Sequence, residues 1–383
     1  MKMKILFLTN VNPFTASFGA EQRSYVFLQS LLQNGCMVDV VYFGTTIEDY
    51  SLCPPNCNVV YWNNGHQWSF SKIDNFLRLA TIRMYPVCKE QEVIIDRLVV
   101  KNNYDYIACR YIPTASTAGL FKYADRLLLD IDDLPASAMA AQMSPDKRLK
   151  EIYHTRMVQS VKNETKRWIS LSKVCFLPNM IQAKENKCVF MPNIPVYRAK
   201  EVIHDSGNKN ILFIGLMSFR PNWEGVDRFI RNCWDKIVDK VPDAHFIIAG
   251  KGLKLELQQS WKRHKNIEIL GFVENVIEFY SKGNIVIVPV FLGAGTNIKV
   301  IEAMAMGKAT VLSAFSTKGY EEILENGKNT YIANANEEFS DRLIELLTHE
   351  EIAEQFAKEG YAQAMRFYSQ ESINRIIEQI IRS

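Results

Sequence analysis

Short apolar, β-branched runs alternate with longer amphipathic stretches along most of the chain. Lys4–Thr9 is the first such run, and Gln22–Leu32 then sets Val26, Phe27, Leu31 and Leu32 at helical spacing. Asn34-Gly35 ends that helix, and Met37–Phe43 is the next run. Further strands are expected at Val59–Trp62, Tyr106–Cys109, Arg126–Leu129, Val174–Leu177 and Cys188–Met191. The polar stretch Arg198–Asn210, with Asp205-Ser206-Gly207-Asn208, breaks the rhythm. The pattern restarts at Ile211–Ile214, turns at Gly215–Asn222 and continues as a helix through Val226–Val238. Strands follow at His245–Ala249, Ile267–Leu270, Ile285–Val288 and Thr310–Leu312, and Ile373, Ile376, Ile377 and Ile380 mark a final amphipathic helix. Strands alternating with helices predict parallel sheets. The expected architecture is α/β: two Rossmann-like, doubly wound domains, 1–197 and 211–365, joined by a linker at 198–210. Residues 366–383 are expected to return to the first domain, and a ligand cleft is expected between the two.

The stretch from Ile285 to Ala314 holds the clearest candidate chemistry. It reads as strand, glycine-containing loop, helix and strand, so its loop lies at the carboxyl end of a parallel strand, where open α/β sheets bind ligands. Thr296 or Asn297 is the expected N-cap, which puts Lys299 in the first helical turn. A cation there opposes the helix dipole by roughly 0.3–1 kcal/mol. A bound anion resolves that conflict, held by the backbone N–H groups of Gly295, Thr296 and Asn297 together with Lys299. Glu302 lies one turn on and leans back toward the loop, where a carboxylate suits vicinal ribose hydroxyls. The alternative is an ordinary solvated lysine and glutamate on a surface helix.

Composition narrows the classes. The 383 residues exceed one ordinary core, and 48% apolar with 23% charged residues is globular. A net charge of +3 without an aromatic-basic stripe gives no sign of a nucleic-acid partner. The opening MKMKILFLTN has too short an apolar run for a signal peptide, and no run of about 18 apolar residues occurs, so a cytoplasmic location is expected. Eight cysteines without paired Cys-x-x-Cys spacing read as reduced thiols, and no His-x-x-x-His spacing occurs; no metal site is expected. After the first strand both the G-x-G-x-x-G turn and the Walker Gly-Lys-Ser/Thr ending are missing, which argues against nicotinamide, flavin and P-loop chemistry.

Several motifs in order carry a resemblance. They are Phe213-Ile214-Gly215 with Pro221-Asn222, Phe246-Ile247-Ile248-Ala249-Gly250, Gly271-Phe272-Val273 and Val288-Pro289. Gly293-Ala294-Gly295-Thr296 then leads into Lys299-Val300-Ile301-Glu302-Ala303-Met304, and Gly307 and Gly319 complete the set. From Ile211 to about Ala333 the chain resembles the GT-B glycosyltransferases, in particular family 4-like members. The first half agrees more loosely, through Gly19-Ala20-Glu21-Gln22-Arg23, Asp130-Ile131-Asp132-Asp133 and Met191-Pro192-Asn193.

The resemblance implies roles. Glu302 matches the second glutamate of the family's E-x7-E motif and would bind the nucleotide ribose. Gly295, Thr296, Asn297 and the helix opening at Ile298 match the diphosphate region. Phe272 and Val273 match the base pocket, and Gly250 belongs to the same donor-side motifs. Lys299 and Arg220, with Asn222 beside it, would stabilise the departing diphosphate; Arg220 and Asn222 could instead only shape the turn. Gly19, Glu21 and Arg23 match the loop facing the sugar and acceptor, although Glu21 could only favour a helix N-terminus and Arg23 could either bind diphosphate or solvate its helix. Asp132 and Asp133 are candidates for acceptor contact or charge stabilisation, with capping as the alternative. Three departures stand out: Ala294 replaces the motif's first glutamate, the usual Arg and Lys after the first strand of the C-terminal half are not cleanly present, with Arg220 the best substitute, and Arg110 follows an N-domain strand where many relatives carry histidine.

The implied activity is retaining, metal-independent transfer of a sugar from a nucleotide-diphosphate sugar to a glycan or polyprenyl-linked acceptor, in surface polysaccharide biosynthesis. No cofactor beyond the donor substrate is expected. A nucleotide-sugar 2-epimerase and a catalytically silent partner subunit are the alternatives. Peripheral membrane contact through 67–102 is a further expectation: Ile73, Phe76, Leu77 and Ala80 form one apolar face, Leu79, Ile82 and Met84 extend it, and Lys72, Arg78 and Arg83 are interspersed. A buried helix with solvated ends is the alternative.

Overall fold

The computed structural model describes residues 2–16, 19–44, 53–63, 67–79, 84–132, 134–136, 148–293 and 296–382. The chain divides into two compact units, one of Met1–Pro192 with Gln370–Ser383 and the other of Asn193–Ser369.

The first unit is built on a parallel sheet of seven strands: β1 (Lys4–Thr9), β2 (Met37–Tyr42), β3 (Cys57–Trp62), β4 (Tyr106–Arg110), β5 (Leu127–Asp130), β6 (Val174–Leu177) and β7 (Val189–Phe190). Their order is β3-β2-β1-β4-β5-β6-β7, so the direction of winding reverses between β1 and β4. The central strands β1, β4 and β5 are largely apolar because helices cover both faces of such a sheet, with Arg110 and Asp130 at the carboxyl ends of β4 and β5. The helix Gly19–Gln33 buries Phe27, which meets Phe7 and Phe176 edge-on, each at 5.6 Å between ring centroids. The helix Gln370–Ile381 lies on that same helix, burying Ile373, Ile377 and Ile381, and its Asn374 carbonyl accepts from Asn34 Nδ2 at 3.0 Å.

The second unit holds six parallel strands: β8 (Asn210–Ile214), β9 (His245–Ala249), β10 (Ile267–Gly271), β11 (Ile285–Val288), β12 (Ala309–Ser313) and β13 (Tyr331–Ala333). Their order, β10-β9-β8-β11-β12-β13, reverses between β8 and β11. The expected helix at Val226–Val238 runs through Arg220–Phe229, a widened turn at Ile230–Trp234 and Asp235–Lys240. That turn buries Trp234, whose indole N–H reaches the Lys265 carbonyl at 2.7 Å. Phe229, Trp234, Phe246 and Phe339 form the aromatic centre of this core. Burial of each such ring contributes roughly 1.5–3 kcal/mol.

The polar stretch 198–210 is tied into the second unit. Ala199 N donates to the Ala305 carbonyl at 3.0 Å, and buried Asn284 exchanges two hydrogen bonds with the Asp205 backbone. Polar side chains there satisfy backbone groups, so a polar composition does not mark a free linker.

Candidate functional site

In the second unit the chemistry gathers at the carboxyl ends of β8 and β11, where the strand order reverses and a parallel sheet leaves a crevice. After β8, Gly215 N donates to the Ala249 carbonyl, and Gly250 has φ 141°. A Cβ at Gly250 would collide with the Gly215 carbonyl oxygen, so only glycine lets the two turns meet. Asn222 is buried and donates to the Leu216 carbonyl at 2.9 Å, which shapes the turn ahead of the helix. Arg220 opens that helix on the exposed side, with Nε on Glu224 at 2.7 Å. After β11, Ser316 Oγ donates to the Val288 carbonyl at 3.0 Å and Ser313 Oγ to the Val290 carbonyl, fixing the chain as it leaves the sheet.

Asn297 occupies the N-cap position of the helix Ile298–Ala305, as the sequence implies, but its side chain makes no capping hydrogen bond. Thr296 Oγ1 accepts from Asn193 Nδ2 at 2.8 Å. Burial lowers the Lys299 pKa to about 8, although the neighbouring Glu302 charge pulls it the other way. Glu302 is 6% exposed, and its Oε1 accepts from Tyr280 Oη at 2.9 Å. Tyr280 sits on the helix Val276–Ser281, capped by Asn275, and burial followed by the Glu302 charge raises its pKa well above that of an ordinary tyrosine. No spacing rule links positions 280 and 302; their contact follows from two helices meeting over the sheet. Phe272 is 61% exposed with Lys251 Nζ 5.9 Å from its ring centroid, while Val273 backs onto the cluster around Tyr280.

In the first unit the ends of β4 and β5 carry a buried charge cluster. Arg23 lies under the sheet end, not in solvent as one reading of the sequence allowed. Its guanidinium grips both oxygens of Asp130 at 2.7–3.1 Å and donates to the Met191 carbonyl at 2.9 Å. The reason is Asp130, which has a side-chain exposure of 0% and requires cationic partners. Arg110, equally buried, is the second partner, and its Nε donates to Ser24 Oγ at 3.1 Å. Burial alone would raise the Asp130 pKa, yet Arg23 and Arg110 outweigh it and the net shift is downward. Arg110 also donates to Tyr111 Oη at 2.8 Å and Asp132 Oδ2 at 3.1 Å, and Tyr111 Oη donates to the same Oδ2 at 3.2 Å. Gly19 and Glu21 open the helix that carries Arg23, with Glu21 in the first turn, where an acid suits the dipole. Asp133 and Gly295 lie outside the described residues.

The apolar segment after residue 67 behaves differently in its two parts. On the helix Lys72–Leu79, Ile73 is 71% and Phe76 67% exposed, which is not the burial that the alternative reading expects. Met84, expected on the same surface, is buried with Ala136 and Val161 instead. Ala80, Ile82 and Arg83 lie outside the described residues. No described helix is long and apolar enough to cross a membrane.

Comparison with known proteins agrees with this architecture. Residues 208–349 match the family described as Glycosyl transferases group 1. The chain is 22% identical over 356 residues to an uncharacterized 44.6 kDa protein in the cps region of Klebsiella pneumoniae, over 89% of this chain and 90% of the relative. Sucrose-phosphate synthase from Thermosynechococcus elongatus matches with a TM-score of 0.74 at 13% identity, over 100% of this chain and 98% of that one. Anabaena HepE, solved in complex with UDP-glucose, matches with a TM-score of 0.65 at 14% identity over 99% of each chain. Two doubly wound parallel sheets with these neighbours define the GT-B fold. Within that fold the second unit carries the stretch, 208–349, that matches a group 1 glycosyltransferase domain.

Proposed function

We propose that the protein transfers a sugar from a nucleotide-diphosphate sugar to a glycan or polyprenyl-linked acceptor, with retention at the anomeric carbon and without a metal. The observation that carries the donor reading is the pairing of Lys299 and Glu302 on one helix at the carboxyl end of β11, beside the strand-order reversal. Lys299 and the helix start supply positive potential for the diphosphate, and Glu302, aimed by Tyr280, accepts from ribose hydroxyls. Arg220 adds a cation at the rim by releasing Glu224. Phe272 offers an exposed ring to the base.

In the transfer, the bond from the anomeric carbon to the diphosphate oxygen breaks as the bond to the acceptor oxygen forms. The acceptor proton passes to the released diphosphate. Neutralising that leaving group is the largest electrostatic demand of the reaction, and Lys299 is the residue best suited to meet it. HepE, a structural neighbour with bound UDP-glucose, supports a nucleotide-sugar donor, and the cps-region relative supports a role in polysaccharide assembly. The exposed Ile73 and Phe76 beside Lys72 favour work on the cytoplasmic face of a membrane, where a polyprenyl-linked acceptor is presented.

A thermal-shift panel of UDP, GDP and ADP against the wild type and Glu302→Gln tests the donor reading. One nucleotide is expected to raise the wild-type midpoint and to lose most of that effect in the variant. Equal stabilisation of both proteins would remove Glu302 from the ribose site.

A further inference from the structure

Beyond the donor site, and resting on the transferase reading above, we infer that Arg110 and Tyr111 are positioning residues. They hold one edge of the Asp132 carboxylate and turn the other toward the acceptor hydroxyl.

The cluster at the ends of β4 and β5 contains two guanidinium groups and two carboxylates, so its formal charge closes to zero. Its two acids are not equivalent. Asp130 is wholly buried, with both oxygens occupied by Arg23 and Arg110. Asp132 keeps 15% side-chain exposure and is held from one side only. Its Oδ2 receives Arg110 and Tyr111. Its Oδ1 accepts no hydrogen bond among the described residues, the closest cation being Arg23 Nε at 3.7 Å. One carboxylate edge is therefore fixed in place and the other is available to a hydroxyl donor.

The backbone is bent to achieve this. Tyr111 has φ 71° and ψ 139°, and Asp132 has φ 62°. A tyrosine rarely adopts a positive φ, and strain of this kind persists where surrounding contacts impose it. Here it lays the Tyr111 ring 4.3 Å from Arg110 Cζ and brings the phenol to Asp132. Both residues stand just past their strands, and β4 borders the strand-order reversal at β1, where ligands enter such sheets. Burial, opposed by Arg110, raises the Tyr111 pKa, so the phenol keeps its proton and remains a donor. The groups facing Asp132 are Arg23 from the first helix, Arg110 and Tyr111 from the end of β4, and Asp130 from β5. Arg110 and the phenol hold one edge of that carboxylate, and its other edge accepts the acceptor's O–H.

Tyr111→Phe tests the assignment, since it keeps the ring on Arg110 and deletes only the hydroxyl. Diphosphate release is followed from whichever of UDP-glucose, GDP-mannose or ADP-glucose the wild type consumes, with water and n-octyl glucoside as acceptors. The variant is expected to lose about tenfold in kcat/KM for octyl glucoside. The loss should appear with octyl glucoside and not in donor hydrolysis by water, because the positioned edge serves the bound acceptor. Nucleotide affinity should stay within twofold of wild type. Unchanged octyl glucoside kinetics, or an equal loss with water, in a wild type that transfers would overturn the positioning role alone. A wild type that consumes no donor would overturn the transferase reading and this inference with it. Should Tyr111→Phe fold poorly, Asp132→Asn decides by the same assay: a loss confined to octyl glucoside with nucleotide affinity retained supports the assignment, and unchanged transfer defeats it.

Discussion

Tyr280 and Glu302 are joined by a 2.9 Å hydrogen bond in the interior of the second unit, the phenol donating to a carboxylate oxygen. The two residues come from different helices, Val276–Ser281 and Ile298–Ala305, so the bond locks the second against the first. It also fixes which way the carboxylate faces.

Tyr280→Phe should therefore weaken nucleotide binding more than the loss of one neutral hydrogen bond would. A bond to a charged group contributes roughly 1.5–3 kcal/mol, and a buried carboxylate left with one donor fewer must reorient or take a proton. The expected result is a lower thermal midpoint together with a tenfold or greater loss of nucleotide affinity by calorimetry. A variant that binds nucleotide as tightly as wild type would mean that Glu302 is aimed by something else.

Lys299 makes nucleotide binding depend on pH. Its pKa, lowered by burial to about 8, leaves part of the population neutral at mildly alkaline pH. A diphosphate beside it restores the charge, so binding at pH 8–9 should take up a proton and affinity should fall as pH rises through about 8. Calorimetry in two buffers of different ionisation enthalpy measures that uptake directly.

The same shift bears on stability. Between about 8 and 10.5 the unfolded chain holds more protons at this position than the folded one, so the lysine favours the fold more as pH climbs through that window. Below it, the charged group is a net cost to the folded state. Lys299→Met should accordingly melt higher than wild type at pH 7 while losing the response to nucleotide, the pattern expected where a functional charge opposes stability. A lower melting point at pH 7 would contradict the assigned burial.

Membrane contact can be tested apart from chemistry. Ile73 and Phe76 project from a helix that also carries Lys72. Replacing both with serine should reduce cosedimentation with vesicles rich in anionic lipid by about tenfold or more, with no drop in melting temperature, because neither side chain supports the core. Retained cosedimentation would assign the contact to another face.

How much of this was readable beforehand depended on whether the signal was local. Strands such as Lys4–Thr9 and Val174–Leu177 announce themselves, since both sheet faces are covered and Ile5–Leu8 and Val174–Leu177 are unbroken apolar runs. Tyr331–Ala333 does not, being three residues long and surrounded by polar turns. Lys299 and Glu302 lie one turn apart on one helix, so their partnership is visible in their spacing. Tyr280 and Tyr111 owe their roles to contacts made by the fold or to a backbone conformation that no pattern of residues encodes. Arg23 reads from the sequence as a diphosphate ligand or a solvated cation for the same reason: its partner Asp130 lies 107 positions away. Met84 was misassigned because an apolar side chain at the end of an exposed segment reads identically whether it turns out or in.

The return of Gln370–Ser383 to the first unit makes the two halves unequal as objects of dissection. The second unit is a single uninterrupted stretch, 193–369, and can be excised as one piece. Its companion is discontinuous in sequence, and a fragment ending at 192 would expose the greasy side of the helix Gly19–Gln33 that Ile373, Ile377 and Ile381 cover. Anyone wishing to express the acceptor half alone must therefore splice the last fourteen residues, 370–383, back onto it.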